Sequence, residues 1–361
     1  MSPKARHARR RDTPNPVSRV VTSPLLRVLT SRILSAIPVL VAVSFLTYVT
    51  MNALPGDTPK GPTCNLPPLP PHFHPPPHFH LPPGALKFIH FCAELAAQNH
   101  QSVFVRYWHW LWPILAHHNF GISNSSGQAV TNQIALRLPV TAELAGFALV
   151  LSIVLAIPAG LLAARRPSGI IDHVSRVVSM GGFSIPAFVI ALLLVLVFSA
   201  DLDVLPAIGF VPLSQSVEQN LRSLLMPAIA IGFSGFCVYS RFLRADVIEQ
   251  MLGQDYVLTA KAKGAGPWRL LIRHATRNSV LGFMTLIGVN LGALISGAVV
   301  IEQIFALPGI GQGLLLAVTD RDNVLVEGFV LVFAVIVILV NLVIDLLYAI
   351  LDPRIRYGAG T

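Results

Sequence analysis

The chain has 361 residues, 53% of them hydrophobic and only 12% charged, with a mean hydropathy of +0.66 and a formal net charge of +9. A soluble domain carries about twice that charged share, and the apolar residues here run in blocks of ~18 or more, long enough to cross a ~30 Å hydrocarbon layer as helix. The composition excludes an ordinary soluble domain and points to an all-α, polytopic membrane protein. The basic residues stand beside the apolar blocks, so the net charge reads as membrane orientation, not nucleic-acid binding.

Residues 1–32 form a basic tail that includes Lys4, Arg6, Arg9, Arg10 and Arg11. The apolar block 33–54 is longer than a signal-peptide core and ends in "NALPGD", with no small-residue cleavage pattern. It is expected to be a retained first span. Five further spans are expected at 139–164, 177–200, 224–243, 279–301 and 328–351. Lysine and arginine accumulate in cytoplasmic loops. Twenty of the 26 fall in the N-terminal tail, the second-to-third loop, the fourth-to-fifth loop and the C-terminal tail, 352–361. The alternate loops hold Lys60, Lys87, Arg106, Arg137 and Arg321, with Arg222 at a boundary. Both termini are expected in the cytoplasm, which six spans allow.

The first outer loop, 55–138, contains "PPHFHPPPHFHL" at 70–81, one hexapeptide written twice. Proline keeps this half out of helix and favours polyproline II. His72, His74, His78 and His80 are candidate ligands for nickel, copper or zinc, since neutral imidazole binds all three. In polyproline II, however, His72 and His78 stand ~19 Å apart. Three readings stay open: a specific metal site, a weak cation-buffering surface, and a spacer. Cys64 and Cys92 share this loop and form a candidate disulfide there, with free thiols as the alternative. The segments "ALKFIHFCAELAAQ" and "VFVRYWHWLWPIL" are expected to be helical, their Trp and Tyr suited to a membrane interface.

The spans are almost free of charge. Glu143, Glu327 and Asp345 fall near span ends, and no mid-membrane relay of the kind that ion-coupled carriers use is visible. Asn341 and Asp345 read as an interhelical polar contact. Cys237 reads as a small packing residue. "GVNLG" sets Gly288 and Gly292 at the spacing for close helix packing, within the subunit or against a second one.

The fourth-to-fifth loop, 245–277, is the most informative. Asp255 is placed to cap a short helix over 256–263, Gly264 to end it in the left-handed conformation, and Pro267 to open a second helix. In that second helix Arg269, Arg273 and Arg277 share one face, and Leu270, Leu271 and Ile272 form an opposite stripe that suits a membrane surface.

"DYVLTAKAKGAGPWRLLIRHATRN" resembles the cytoplasmic loop of binding-protein-dependent ABC importer permeases, in the dipeptide, oligopeptide and nickel branch. The family's E-A-A positions fall on Leu258, Thr259 and Ala260, without the glutamate. Its I-x-L-P positions fall on His274, Thr276 and Arg277 and are degenerate. "LPVTAELAGFALVLSIVLAIPAGLLAARRPSGIIDHVSR", "VIEQIFALPGIGQGLLLAVTDRDNVLVEGFVL" and "LVNLVIDLLYAILDPRIRY" resemble three further stretches of these permeases, in order. The resemblance covers 30–56 and 103–357 and leaves 57–100 as a Pro/His-rich insert.

The resemblance implies a type I ABC importer permease fold in a bacterial inner membrane, with a core of five spans over 139–351. It implies a transport subunit and not an enzyme, in keeping with the absence of any G-x-x-x-x-G-K-[ST] phosphate loop. No cofactor is implied for this chain; ATP and magnesium belong to two partner ATPase subunits. A second, homologous permease and an extracytoplasmic binding protein complete the implied assembly, and no nucleic acid takes part. The implied coupling helix, seated in an ATPase groove, uses Asp255, Tyr256, Thr259, Ala260, Lys261, Ala262, Lys263 and Gly264. Dipeptides or oligopeptides are the implied cargo, with nickel or another metal complex as the alternative. The segment "ALPGIG", 306–311, is left open between a re-entrant element, a docking surface and a plain turn.

Overall fold

The computed structural model describes residues 24–53 and 102–351. The proline- and histidine-rich stretch, including Cys64, Cys92, His72, His74, His78 and His80, lies outside the described residues. Among the described residues the fold is all helix, with one isolated antiparallel bridge between Ile122 and Ala129.

Eleven helices follow in order. They are α1 (Pro24–Ala53), α2 (Val103–His117), α3 (Val130–Arg165), α4 (Ile170–Ser184), α5 (Ala187–Leu194), α6 (Val217–Gly253), α7 (Asp255–Ala262), α8 (Pro267–Arg269), α9 (Thr276–Ile304), α10 (Ile310–Thr319) and α11 (Asn323–Leu351). Wider π-helical turns prolong α5 through Val195–Asp201 and join α8 to α9 through Leu270–Ala275. Among the described residues, five helices are long and apolar enough to cross a membrane: α1, α3, α6, α9 and α11.

The expected third span, 177–200, is not one straight helix. It is a pair, α4 and α5, bent by 102°. Pro186 supplies no N–H and forces the residue before it out of helical geometry. Ile185 accordingly sits at φ −87°, ψ 121°. Counting the bent pair as one span brings the number to six. The other expected spans are present but longer: α3 starts nine residues before Pro139, and α6 runs 37 residues.

The centre is the α3–α6 contact. Ala148, Ser152, Ala156 and Gly160 recur every fourth residue and are all buried. Small residues at that spacing let two backbones approach closely. A Cβ on Gly232 of α6 would stand 2.8 Å from the Ala148 carbonyl oxygen. The Ser152 hydroxyl donates to the carbonyls of Ala148 (2.6 Å) and Gly232 (2.8 Å), so no polar group is left stranded there. α9 closes this core with Leu294, Ala298 and Ile301.

α1 packs on α11, and α2 folds back on α1 through aromatic contacts. Tyr107 bonds Ser44 at 2.7 Å and meets Phe45 and Tyr48 edge-on. The helix expected over "VFVRYWHWLWPIL" is thus present, with Trp108 and Trp112 exposed. Gly288 faces α11: a Cβ there would meet Ile344 at 2.6 Å, and one on Gly292 would reach Val337 at 3.9 Å. Gly288 is thus in close contact with α11, whereas Gly292 has room for a side-chain carbon. Cys237 is 1% exposed and packs beside Gly182, as a small core residue does. Asp345 is an interhelical contact as expected; its partner is Arg32 of α1, at 3.0 Å.

Candidate functional site

Two polar constructions stand at opposite ends of the core. The first is the loop between α6 and α9. α6 ends at Gly253, and Gln254 at φ −97°, ψ 128° turns the chain into α7. Asp255 does not cap this helix. It is the first helical residue, Gln254 holds the cap position, and no side chain bonds the helix start. The far end closes as expected. Gly264 takes φ +80°, the Gly264 N–H reaches the Lys261 carbonyl at 2.9 Å, and the Ala265 N–H reaches the Ala260 carbonyl at 3.1 Å. That pair of bonds is a Schellman closure, and it needs a left-handed residue at Gly264.

α7 divides into two faces. Val257 and Ala260 are buried against Leu270, with Met251, Tyr256 and Ala265 around them. Tyr256 donates its hydroxyl to Gln250 of α6 at 2.8 Å, which ties the loop back to its stem. Asp255, Leu258, Thr259 and Ala262 form an exposed stripe, with Lys261, Lys263 and Gly264 exposed beside it. Leu258 is 60% exposed although it is apolar. Ala260, read from sequence as a contact residue of the docking surface, faces inward; Ala262 remains on the outer face.

The second short helix is not separate. α8 passes through the π turn straight into α9, and the Thr276 hydroxyl donates to the Leu271 carbonyl at 2.8 Å across the widened turn. The apolar stripe expected to lie on a membrane is used internally. Leu270 packs under α7, Leu271 packs with Tyr239, Leu243 and Phe283, and only Ile272 is exposed. Arg269, Arg273 and Arg277 are exposed. The Arg165 guanidinium lies 4.6 Å over the Trp268 ring, which joins the end of α3 to this loop.

The second construction surrounds "ALPGIG", which is a turn leading into a real helix, α10. Glu302, near the end of α9, is fully buried, although it falls just past the expected end of its span and is not among the residues expected from the sequence. Its carboxylate accepts from the Thr141 hydroxyl at 2.7 Å and from the Gln312 N–H at 3.0 Å. Thr141 in turn accepts from the Ile310 N–H at 2.9 Å, and Arg137 donates to the Gly309 carbonyl at 3.3 Å. The glycines are required by space: a Cβ on Gly311 would stand 2.6 Å from the Val299 Cα. The missed signal was an acid inside an apolar block, an expensive placement that calls for a partner.

Asp322, just before α11, anchors the neighbouring loop. It accepts from Ser123 Oγ (2.6 Å), Ser125 N–H and Oγ (both 3.0 Å) and the Leu325 N–H (3.1 Å), the last as a helix cap. Burial alone would raise its pKa, but the hydrogen bonds from Ser123, Ser125 and Leu325 outweigh burial and hold it below the ordinary carboxylate value. Among the described residues, no group of three or more His, Cys, Asp or Glu side chains stands close enough together to hold a metal ion.

Residues 156–357 match the family model described as the binding-protein-dependent transport system inner membrane component. Similar proteins include one from Brucella abortus (strain 2308), provisionally named a peptide transport system permease protein. It is 35% identical over 327 residues, covering 90% of this chain and 98% of that relative. The dipeptide transport system permease protein DppB of Escherichia coli (strain K12) is 30% identical over 358 residues, covering 92% and 99%. A Sinorhizobium fredii protein, provisionally named a peptide ABC transporter permease, is 33% identical over 253 residues, covering 70% and 80%. With its long apolar helices and sheet-free core, this chain belongs to the family of inner-membrane components of binding-protein-dependent transport systems, as a multi-pass permease subunit.

Proposed function

We propose that this chain is one of two permease subunits through which an ATP-driven importer moves dipeptides or oligopeptides, and that α7 is its contact with a partner ATPase. The peptide cargo follows from the names of the relatives, among them a dipeptide permease that the alignment covers almost from end to end. The observation that carries the coupling reading is the two-faced α7. Three buried apolar residues and a Schellman closure hold it in shape, while it presents Leu258, Thr259 and Ala262 outward between lysines. What supports docking is the combination: a short helix held firmly from one side offers a free face of Leu258, Thr259 and Ala262 on the loop between two long helices. The exposed lysines favour an acidic rim on the partner's groove.

In this reading the arginine-rich ends face the cytoplasm, and an extracytoplasmic binding protein delivers cargo at the Glu302 end. ATP and magnesium act on the two ATPase subunits, not on this chain. The test is Gly264→Glu in the assembled importer. A Cβ at Gly264 meets nothing within 4 Å inside the subunit, so the substitution strains only the left-handed backbone and obstructs whatever sits on the loop. Peptide-stimulated ATPase activity is expected to fall to the unstimulated level while the complex still assembles. Full retained stimulation removes the assignment.

A further inference from the structure

Asp172 is a carboxylate with no exposed surface at the start of α4, far along the chain from α7. It accepts two bonds from the Arg244 guanidinium of α6, one of them from Nη2 at 2.9 Å, a third from the Ser168 N–H at 2.9 Å, and it pairs with Arg176 at 3.3 Å. A paired guanidinium and carboxylate fix orientation as well as distance. This bridge is the first rung of a ladder. The Ser179 and Ser240 hydroxyls are 3.2 Å apart, and a Cβ on Gly182 would stand 2.7 Å from the Cys237 sulfur. Residues 172, 179 and 182 ascend α4 while 244, 240 and 237 descend in number along α6, so the two helices are fastened side by side in opposite directions.

We infer that Asp172 and Arg244 are positioning residues for transport, which fasten α4 to α6 so that the two helices move as one body and carry displacement of α7 to the bend at Pro186. α6 is a single unbroken helix that ends one residue before α7, and the Tyr256–Gln250 bond keeps that joint short. α4 packs along α6, which leads directly into α7, while a second link to the loop runs through α3 and its Arg165–Trp268 contact. Beyond the bend, α5 and the loop after it pack onto Phe305 and Leu307, the turn held by Glu302. The packed elements are thus continuous from the coupling loop to the opposite end, so a displacement of α7 has a path of packed side chains to follow. A buried bridge adds little net stability over an apolar pair, and setting register is the best-attested use of one.

The inference rests on the coupling reading of α7, and the two fail separately: Gly264→Glu tests the input, and the following tests the fastening. In a chain with Cys64, Cys92 and Cys237 replaced by serine, Ser179→Cys and Ser240→Cys place two thiols where the hydroxyls now meet. In proteoliposomes holding the whole importer, the disulfide is formed and verified by mass, and Ala-Ala uptake is compared before and after reduction. Uptake within twofold of the reduced protein is expected. Uptake abolished by the disulfide and restored by reduction means that α4 slides on α6 during transport, and it overturns the proposal. In parallel, Arg244→Gln is expected to cut peptide-stimulated ATPase activity at least tenfold with unstimulated activity unchanged, and Arg244→Lys to restore most of it. Full stimulation in Arg244→Gln also overturns the proposal.

Discussion

The two ends of the core solve the same problem with opposite means. At the Glu302 end, a short helix is clamped by a fully buried carboxylate that takes up a hydroxyl and a backbone N–H, with glycines pressed against neighbouring backbone. At the α7 end, a short helix is held by Val257, Ala260 and Leu270 and by its own closing turn, and a Cβ added to its glycine meets open space. One end leaves no room; the other leaves a whole face free. Buried hydrogen bonds in a low dielectric are costly to break, whereas a small apolar contact is cheap to shift. The difference suits a rigid turn at one end and an element that another protein grips at the other.

Removing the clamp gives the largest effect. Glu302→Ala leaves the Thr141 hydroxyl and the Gln312 N–H without an acceptor inside the core, a loss of roughly 2–4 kcal/mol. The thermal midpoint of the purified subunit should fall by several degrees, and an unchanged midpoint would mean that the clamp bears no load. The same replacement of glycine by alanine then separates the two ends. Gly311→Ala forces a Cβ onto the Val299 backbone and should cost about 2 kcal/mol through overpacking. Gly264→Ala meets no atom and should cost only about 1 kcal/mol, from the left-handed backbone. Equal losses at the two positions would erase the contrast.

The smallest effect is at Asp322. Its pKa is depressed on folding, so its contribution is complete above the ordinary carboxylate value of about 3.9 and fades as pH falls through the lower folded value. Asp322→Asn keeps an oxygen that can cap α11 but exchanges charge-assisted bonds for neutral ones, so the midpoint at pH 7 should fall by an amount equivalent to about 1 kcal/mol. The gap between the two proteins should narrow as pH falls below the ordinary carboxylate value and on through the lower folded one. A gap that stays constant through that range would show that the charge on Asp322 plays no part.

Much of this was legible because hydrophobic blocks and punctuation residues act locally. Five long helices, Gly264 at positive φ and Pro267 opening a helix all follow from the residues themselves. The Pro186 bend was also written in the chain, in "SIPA", but an apolar block on both sides masked it. The cap at Asp255 failed because Gln254 adopts the non-helical geometry one residue earlier, a choice set by how α6 ends. The stripe of Leu270 and Leu271 was visible as apolar, but its destination was not: it covers α7 and α6, and periodicity alone cannot distinguish a neighbouring helix from lipid. Glu302 and Asp172 find their partners at Thr141 and Arg244, 161 and 72 residues away, distances over which no local pattern speaks.

In the proposed importer, the exposed face of α7 seats in an ATPase subunit, and a label on that face tests this directly. Thr259 lies on that face, exposed, with its hydroxyl turned back to the Asp255 carbonyl at 2.8 Å, so a cysteine there costs the fold little. In the chain with Cys64, Cys92 and Cys237 replaced by serine, Thr259→Cys carrying a benzophenone label is irradiated within the complete importer. Adducts with an ATPase subunit are expected, their yield changing when ATP is added. Adducts confined to lipid or to this chain itself would contradict that seating.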